Sequence, residues 1–138
     1  MAMAAKAREF RYAIGLDRAG RITADGRSPL ELDAAWTPEH LLLAALVRCT
    51  LQSLRFHAGF EGVDFVASAS AAGMVTKRPG DGRYAFAEID VELELELEPE
   101  PPGEELAALI EKAERDCFVG ASLTIPPRYR WHVNGTHL

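Results

Sequence analysis

Thr37-Pro-Glu-His-Leu-Leu-Leu-Ala-Ala-Leu-Val-Arg-Cys49-Thr-Leu-Gln-Ser53 is the stretch on which the fold turns. Thr37 can cap free backbone N–H groups, Pro38 suits the first helical position, and Glu39 favours the positive end of the helix dipole. The apolar pattern runs to Ala58, with Gly59 as the expected stop. Its stripe is Leu42, Leu46, Cys49, Ser53 and Phe56. Between Leu41 and Leu54 only Arg48 interrupts with a charge, so the helix is expected to be central and buried on most sides.

Upstream, Arg8–Leu16 and Arg21–Asp25 read as strands around the turn Asp17-Arg-Ala-Gly20. Gly26-Arg-Ser-Pro29 turns again before a short third strand at Leu30–Leu32, which completes a small meander. Downstream, Val63–Thr76 and Arg83–Glu98 read as two long strands joined by the hairpin loop Lys77–Gly82. In Val91-Glu-Leu-Glu-Leu-Glu-Leu-Glu98 the period of two is unbroken, so carboxylates take one face and aliphatics the other. The acidic face reads as solvated, because a flat row of glutamates does not converge on a cation. Its charges also discourage edge-to-edge aggregation.

Pro99-Glu-Pro-Pro-Gly103 ends that strand. A second helix follows, with Leu106, Leu109, Ile110, Ala113 and Cys117 on one apolar face and Glu104 and Glu105 at its start. A last strand is expected over Ser122–Val133, with an edge or bulge at Pro126-Pro127. This order of elements specifies an α+β fold with mostly antiparallel pairing. The 138 residues fit a single domain, 1–138.

Nearly half the residues are apolar, enough for a core that needs no disulfides. A net charge of -6 argues against nucleic acid and against an anionic membrane surface as partners. The longest apolar run, Leu41–Val47, is too short to span a bilayer, and Met1–Arg8 lacks the apolar core of a secretory signal. A cytoplasmic location is therefore expected. No CxxC or HxxxH suggests a metal site, and His40 lies nearly opposite Cys49 on the helix. His132 and His137 are expected to be exposed, and no glycine cluster matches a phosphate loop.

The chemistry rests on Cys49 and Cys117, both aimed at the core from separate segments. In a reducing compartment such a pair points to redox chemistry more than to a permanent staple. A thiol reacts as its thiolate, and burial alone opposes ionisation, so a cation or donors must reach it. Gln52 and Ser53 flank Cys49 and can donate. His57 lies about 80° around the helix and about 12 Å along it, too far for a direct dyad. Arg48 points away, which leaves Arg18 and Arg21 of the front turn as candidates. The residues alone leave open that both cysteines are ordinary small core side chains.

The segment Thr37–Thr50 resembles the central-helix motif of the OsmC/Ohr family. So does Ala113-Glu-Arg-Asp-Cys117-Phe-Val-Gly-Ala-Ser-Leu123, followed by Tyr129-Arg-Trp131-His-Val-Asn-Gly135. The resemblance runs from Tyr12 to Gly135. It implies antiparallel sheets packed around a long central helix in an intertwined, obligate homodimer. It also implies a peroxiredoxin-like thiol peroxidase for organic hydroperoxides, with no metal or organic cofactor. By the same resemblance Cys49 is the peroxidatic thiolate, Cys117 condenses with its sulfenic acid, and an external dithiol restores both. Arg18 would stabilise the thiolate and Glu39 would hold the guanidinium, with the site at the dimer interface. Phe118 stands where the Ohr branch usually has proline, a form closer to the broader OsmC-like branch, and Arg21 is the alternative to Arg18. Leu42, Leu46 and Phe56 would line an apolar site suited to an alkyl peroxide. Two other readings stay open: a non-catalytic module for small hydrophobic ligands, and a cysteine hydrolase with His57 as base.

Overall fold

Asp17 organises the front of the chain. Its carboxylate accepts the N–H groups of Ala19 and Arg21 at 2.9 Å each, and Gly20 takes φ +84°. This turn joins β1 (Ile14–Leu16) to β2 (Ile22–Ala24) as an antiparallel pair with Ile14 opposite Ala24. The first strand is thus much shorter than Arg8–Leu16. The expected third strand reduces to one bridge between Leu30 and Ile22. The computed structural model describes residues 7–25 and 27–138; residues 1–6 of the Met1–Arg8 stretch that was read against a secretory signal, and the turn residue Gly26, lie outside the described residues. The chain divides into two compact units, Met1–Thr37 and Pro38–Leu138.

The second unit opens with α1 (Pro38–Phe60), which outruns the expected end at Ala58. Gly59 does not stop it. Gly62 does, at φ +67°, with Val63 N–H bonding back to the Ala58 carbonyl at 3.0 Å. That is a Schellman ending, which needs the left-handed residue that glycine adopts without strain. The buried face is Leu46, Thr50, Ser53, Leu54 and Ala58. The expected stripe was therefore rotated: Phe56 is 63% exposed, stacked edge-on against His57 and Phe60. An almost uninterrupted apolar run carries few polar residues to mark its outward side, so periodicity could not choose the face.

β3 (Asp64–Lys77) and β4 (Tyr84–Glu98) pair antiparallel along their length, with a bulge at Met74/Val75. The alternation in β4 holds: Val91, Leu93, Leu95 and Leu97 are buried and Glu94, Glu96 and Glu98 are exposed. α2 (Gly103–Arg115) lays Leu106, Leu109 and Ala113 into the same core. The short α3 (Phe118–Ala121) follows, then β5 (Arg128–Val133) and β6 (Thr136–His137). β5 begins at Arg128 and not at Ser122, because Pro126 and Pro127 have no N–H for the ladder.

The sheet order is β3-β4-β5-β6. Pairing is antiparallel except between β4 and β5, which run parallel with Leu93 opposite Trp131. The helical crossover through α2 and α3 supplies the long connection that a parallel pair needs. Residues of α1, α2, β4 and β5 share one core. On the opposite sheet face Arg128 bonds Asp90 at 2.8 Å and His132 meets Glu92 at 3.0 Å. His132 is thus half-buried and paired, not simply exposed, while His137 stays exposed beside it. Among the described residues no helix is long and apolar enough to cross a membrane.

Candidate functional site

Cys49 lies on α1 one residue before the buried Thr50 and is half-buried itself. Cys117 is 0% exposed but is not on α2, as the apolar periodicity suggested. The helix ends at Arg115 and Asp116 closes it. Cys117 is extended, at φ −74° and ψ 109°, and caps α3 by accepting Gly120 N–H through its sulfur. Burial was read correctly; the backbone that delivers it was not. The turn into α3 is tied to α1 by Asp116, whose carboxylate meets His57 at 2.8 Å.

The two sulfurs share one stretch of backbone. Val119 N–H donates to Cys49 Sγ at 3.4 Å, and Gly120 N–H donates to Cys117 Sγ at 3.4 Å. Both thiols are free. Burial pushes the Cys49 thiol up, the N–H of Val119 opposes this, and the adjoining Cys117 thiol adds to the rise. The net direction is upward.

A hydroxyl network backs Cys117. Thr50 Oγ1 lies 2.9 Å from the Leu46 carbonyl, 3.5 Å from Cys117 Sγ and 3.2 Å from the Tyr129 hydroxyl. Burial pushes the Tyr129 phenol up to about 12. Neither Thr50 nor Tyr129 was singled out from the sequence. Thr50 follows Cys49 directly and is a polar residue in an apolar run, which is a usable signal. Nothing in spacing pairs it with Tyr129, which β5 delivers from the far side of the core.

Leu42 is half-buried against the core, and Leu46 is fully buried beside Cys117, with its Cδ1 close to Gly120. Ser53 is buried with its hydroxyl lacking a partner, and Gln52 is exposed, so neither donates to Cys49. Arg48 is exposed, as expected. Glu39 is exposed in the first turn of α1. The helix is continuous between Glu39 and Cys49, so the two are about 15 Å apart along its axis. Arg18 is exposed in the turn of the front unit, where Arg21 Nε donates to Asp17 at 2.8 Å. Among the described residues, no three or more His, Cys, Asp or Glu side chains gather as a metal ion would require.

The family model for OsmC-like protein matches residues 31–131. No curated protein matches the chain. An OsmC-like protein from Mycoplasma pneumoniae superposes with TM-score 0.68 at 16% identity, over 91% of this chain and 97% of that one. An organic hydroperoxide resistance protein OsmC from Legionella pneumophila gives 0.57 at 21% identity, over 93% and 98%. A putative organic hydroperoxide resistance protein from Vibrio cholerae, with captopril bound in one of its active sites, gives 0.62 at 17% identity, over 96% of both chains. At these identities the superpositions speak for the fold. With the model spanning most of the sequence and the fold agreeing, this chain belongs to the OsmC-like protein family.

Proposed function

We propose that this protein is a cytoplasmic, homodimeric cysteine peroxidase that reduces organic hydroperoxides. The observation that carries the reading is the convergence of two free thiols on neighbouring N–H groups of one turn, at 3.4 Å each. Several structural neighbours are named for organic hydroperoxide resistance, which favours that substrate class.

The Cys49 thiolate attacks one oxygen of the peroxide. The O–O bond breaks, the alcohol leaves with a proton, and Cys49 becomes a sulfenic acid. Cys117 attacks that sulfur, water leaves, and a Cys49–Cys117 disulfide remains for an external dithiol to reduce. Partial exposure suits Cys49 to meet the substrate and full burial suits Cys117 to wait behind it. The N–H of Val119 would stabilise the thiolate only in part, since burial outweighs it. The missing stabilisation is assigned to Arg18, held by Glu39 and supplied across a dimer interface. Arg21 is less suited because Asp17 engages its guanidinium. Leu42 offers an apolar lining, Leu46 is fully buried and so is withdrawn from it, and Phe56 would join it only from a partner subunit.

The test is a thiol count after one equivalent of an alkyl hydroperoxide, with mass spectrometry for a Cys49–Cys117 link. Loss of both thiols is expected, and Cys49→Ser should abolish peroxide consumption. Retention of both thiols would favour the second reading, a non-catalytic module for small hydrophobic ligands, which the upward push on Cys49 supports. The hydrolase reading loses its base, because α1 is continuous and puts His57 eight residues beyond Cys49, about 12 Å along the axis.

A further inference from the structure

We infer that Thr50 and Tyr129 are positioning residues that hold the Cys117 sulfur ready to close the disulfide, an inference that rests on the peroxidase reading. Thr50 is 0% exposed, so its hydroxyl must be satisfied from within. Its proton has a good acceptor in the Leu46 carbonyl at 2.9 Å. Its lone pairs then face the Tyr129 hydroxyl at 3.2 Å. A phenol pushed up to about 12 keeps its proton at neutral pH and donates it. The chain of hydroxyls thus runs Tyr129 to Thr50 to Leu46, with Cys117 Sγ 3.5 Å from its middle member.

The slot that holds the sulfur is fully buried, with Gly120 N–H donating to Cys117 Sγ at 3.4 Å and the Thr50 hydroxyl 3.5 Å away. A buried sulfur held from two sides has few rotamers. That matters in the second step. Cys117 loses its proton, its electron pair forms a bond to the Cys49 sulfur, the S–O bond of the sulfenic acid breaks, and the oxygen leaves as water. Both sulfurs end oxidised at the expense of the peroxide already reduced. Displacement at sulfur needs the attacking atom in line with the leaving oxygen, so a sulfur free to swing reacts more slowly.

The variants are Thr50→Val, Tyr129→Phe and Thr50→Ser, each checked by thermal melting. Rapid-mixing kinetics with an alkyl hydroperoxide separate sulfenic acid formation from disulfide closure. Thr50→Val and Tyr129→Phe should slow closure roughly fivefold, the effect of one net hydrogen bond. The first step should keep its rate, and the fraction over-oxidised to sulfinic acid should rise. Thr50→Ser keeps the hydroxyl and should restore closure. Closure at the wild-type rate in folded Thr50→Val and Tyr129→Phe would overturn the inference, as would equal slowing by Thr50→Ser. Diamide provides an arm free of peroxide: Cys49 adds to it, and Cys117 displaces the reduced hydrazine to form the disulfide. Slowed diamide closure in the variants, beside a wild type inert to peroxide, would remove the peroxidase reading and leave the positioning standing. Normal peroxide turnover with unslowed diamide closure would remove the positioning alone.

Discussion

Two sulfur environments lie side by side and differ in kind. Cys49 is half-buried on a regular helix and accepts the Val119 N–H. Cys117 is fully buried off any long helix, held by Gly120 N–H with the Thr50 hydroxyl beside it. The difference separates access from restraint. One thiol can be reached by a small molecule, and the other can be reached only by its neighbour.

The sharpest way to break this contrast is chemical labelling. With a small alkylating reagent on the folded protein, Cys49 should react first and Cys117 at least about a hundredfold more slowly, since its exposure requires local opening. Peptide mapping after short exposure checks this, and equal labelling would erase the distinction. Next in size is Leu46→Ala. Leu46 is 0% exposed and shares the buried core with Cys117, so the change should cost about 2–5 kcal/mol in denaturant unfolding. It should also speed labelling of Cys117.

A smaller effect concerns the clamp beside Cys117. The Arg115 guanidinium and then His57 hold the Asp116 carboxyl below its ordinary value of 3.8. A carboxyl depressed by folding contributes stability that is complete above its unfolded value and lost as pH falls through the folded one. Asp116→Asn should therefore lower the melting temperature at pH 6, and the gap to wild type should begin to narrow near pH 3.8 and close as pH falls through the lower folded value. A gap that persists at acid pH would show that the charge is not the cause. The smallest effect is expected at Gly120→Ala. The new Cβ meets its neighbours at 3.5–3.6 Å, ordinary contact distances, and φ there is not positive. Melting should move by less than about 1 kcal/mol, with helix propensity favouring alanine. A large loss would mean the slot is tighter than these contacts imply.

Much of this was legible in the residues because it is local. β4 faces as its alternation demands, since side chains of a strand take opposite sides in turn. Thr37-Pro38 starts α1 for reasons contained in two residues. The two cysteine segments carried the family, and the family model agrees over residues 31–131. The face of α1 was not legible, because a nearly all-apolar helix looks alike from most sides until a sheet meets one of them. Nor was the backbone at Cys117, where periodicity continued a helix that Asp116 ends in favour of a bond to His57.

The sequence alone determined where the two long helices and the two long strands lie, which strand face is wet, and that two thiols point inward, because each depends on neighbours a few positions away. Only the tertiary structure decided that Thr50 meets Tyr129 and that Val119 and Gly120 serve different sulfurs. The contacts of Thr50 and Cys49 join α1 to β5 and α3, elements far apart in sequence, and the packing of helix on helix and helix on sheet, not local pattern, sets which atoms meet.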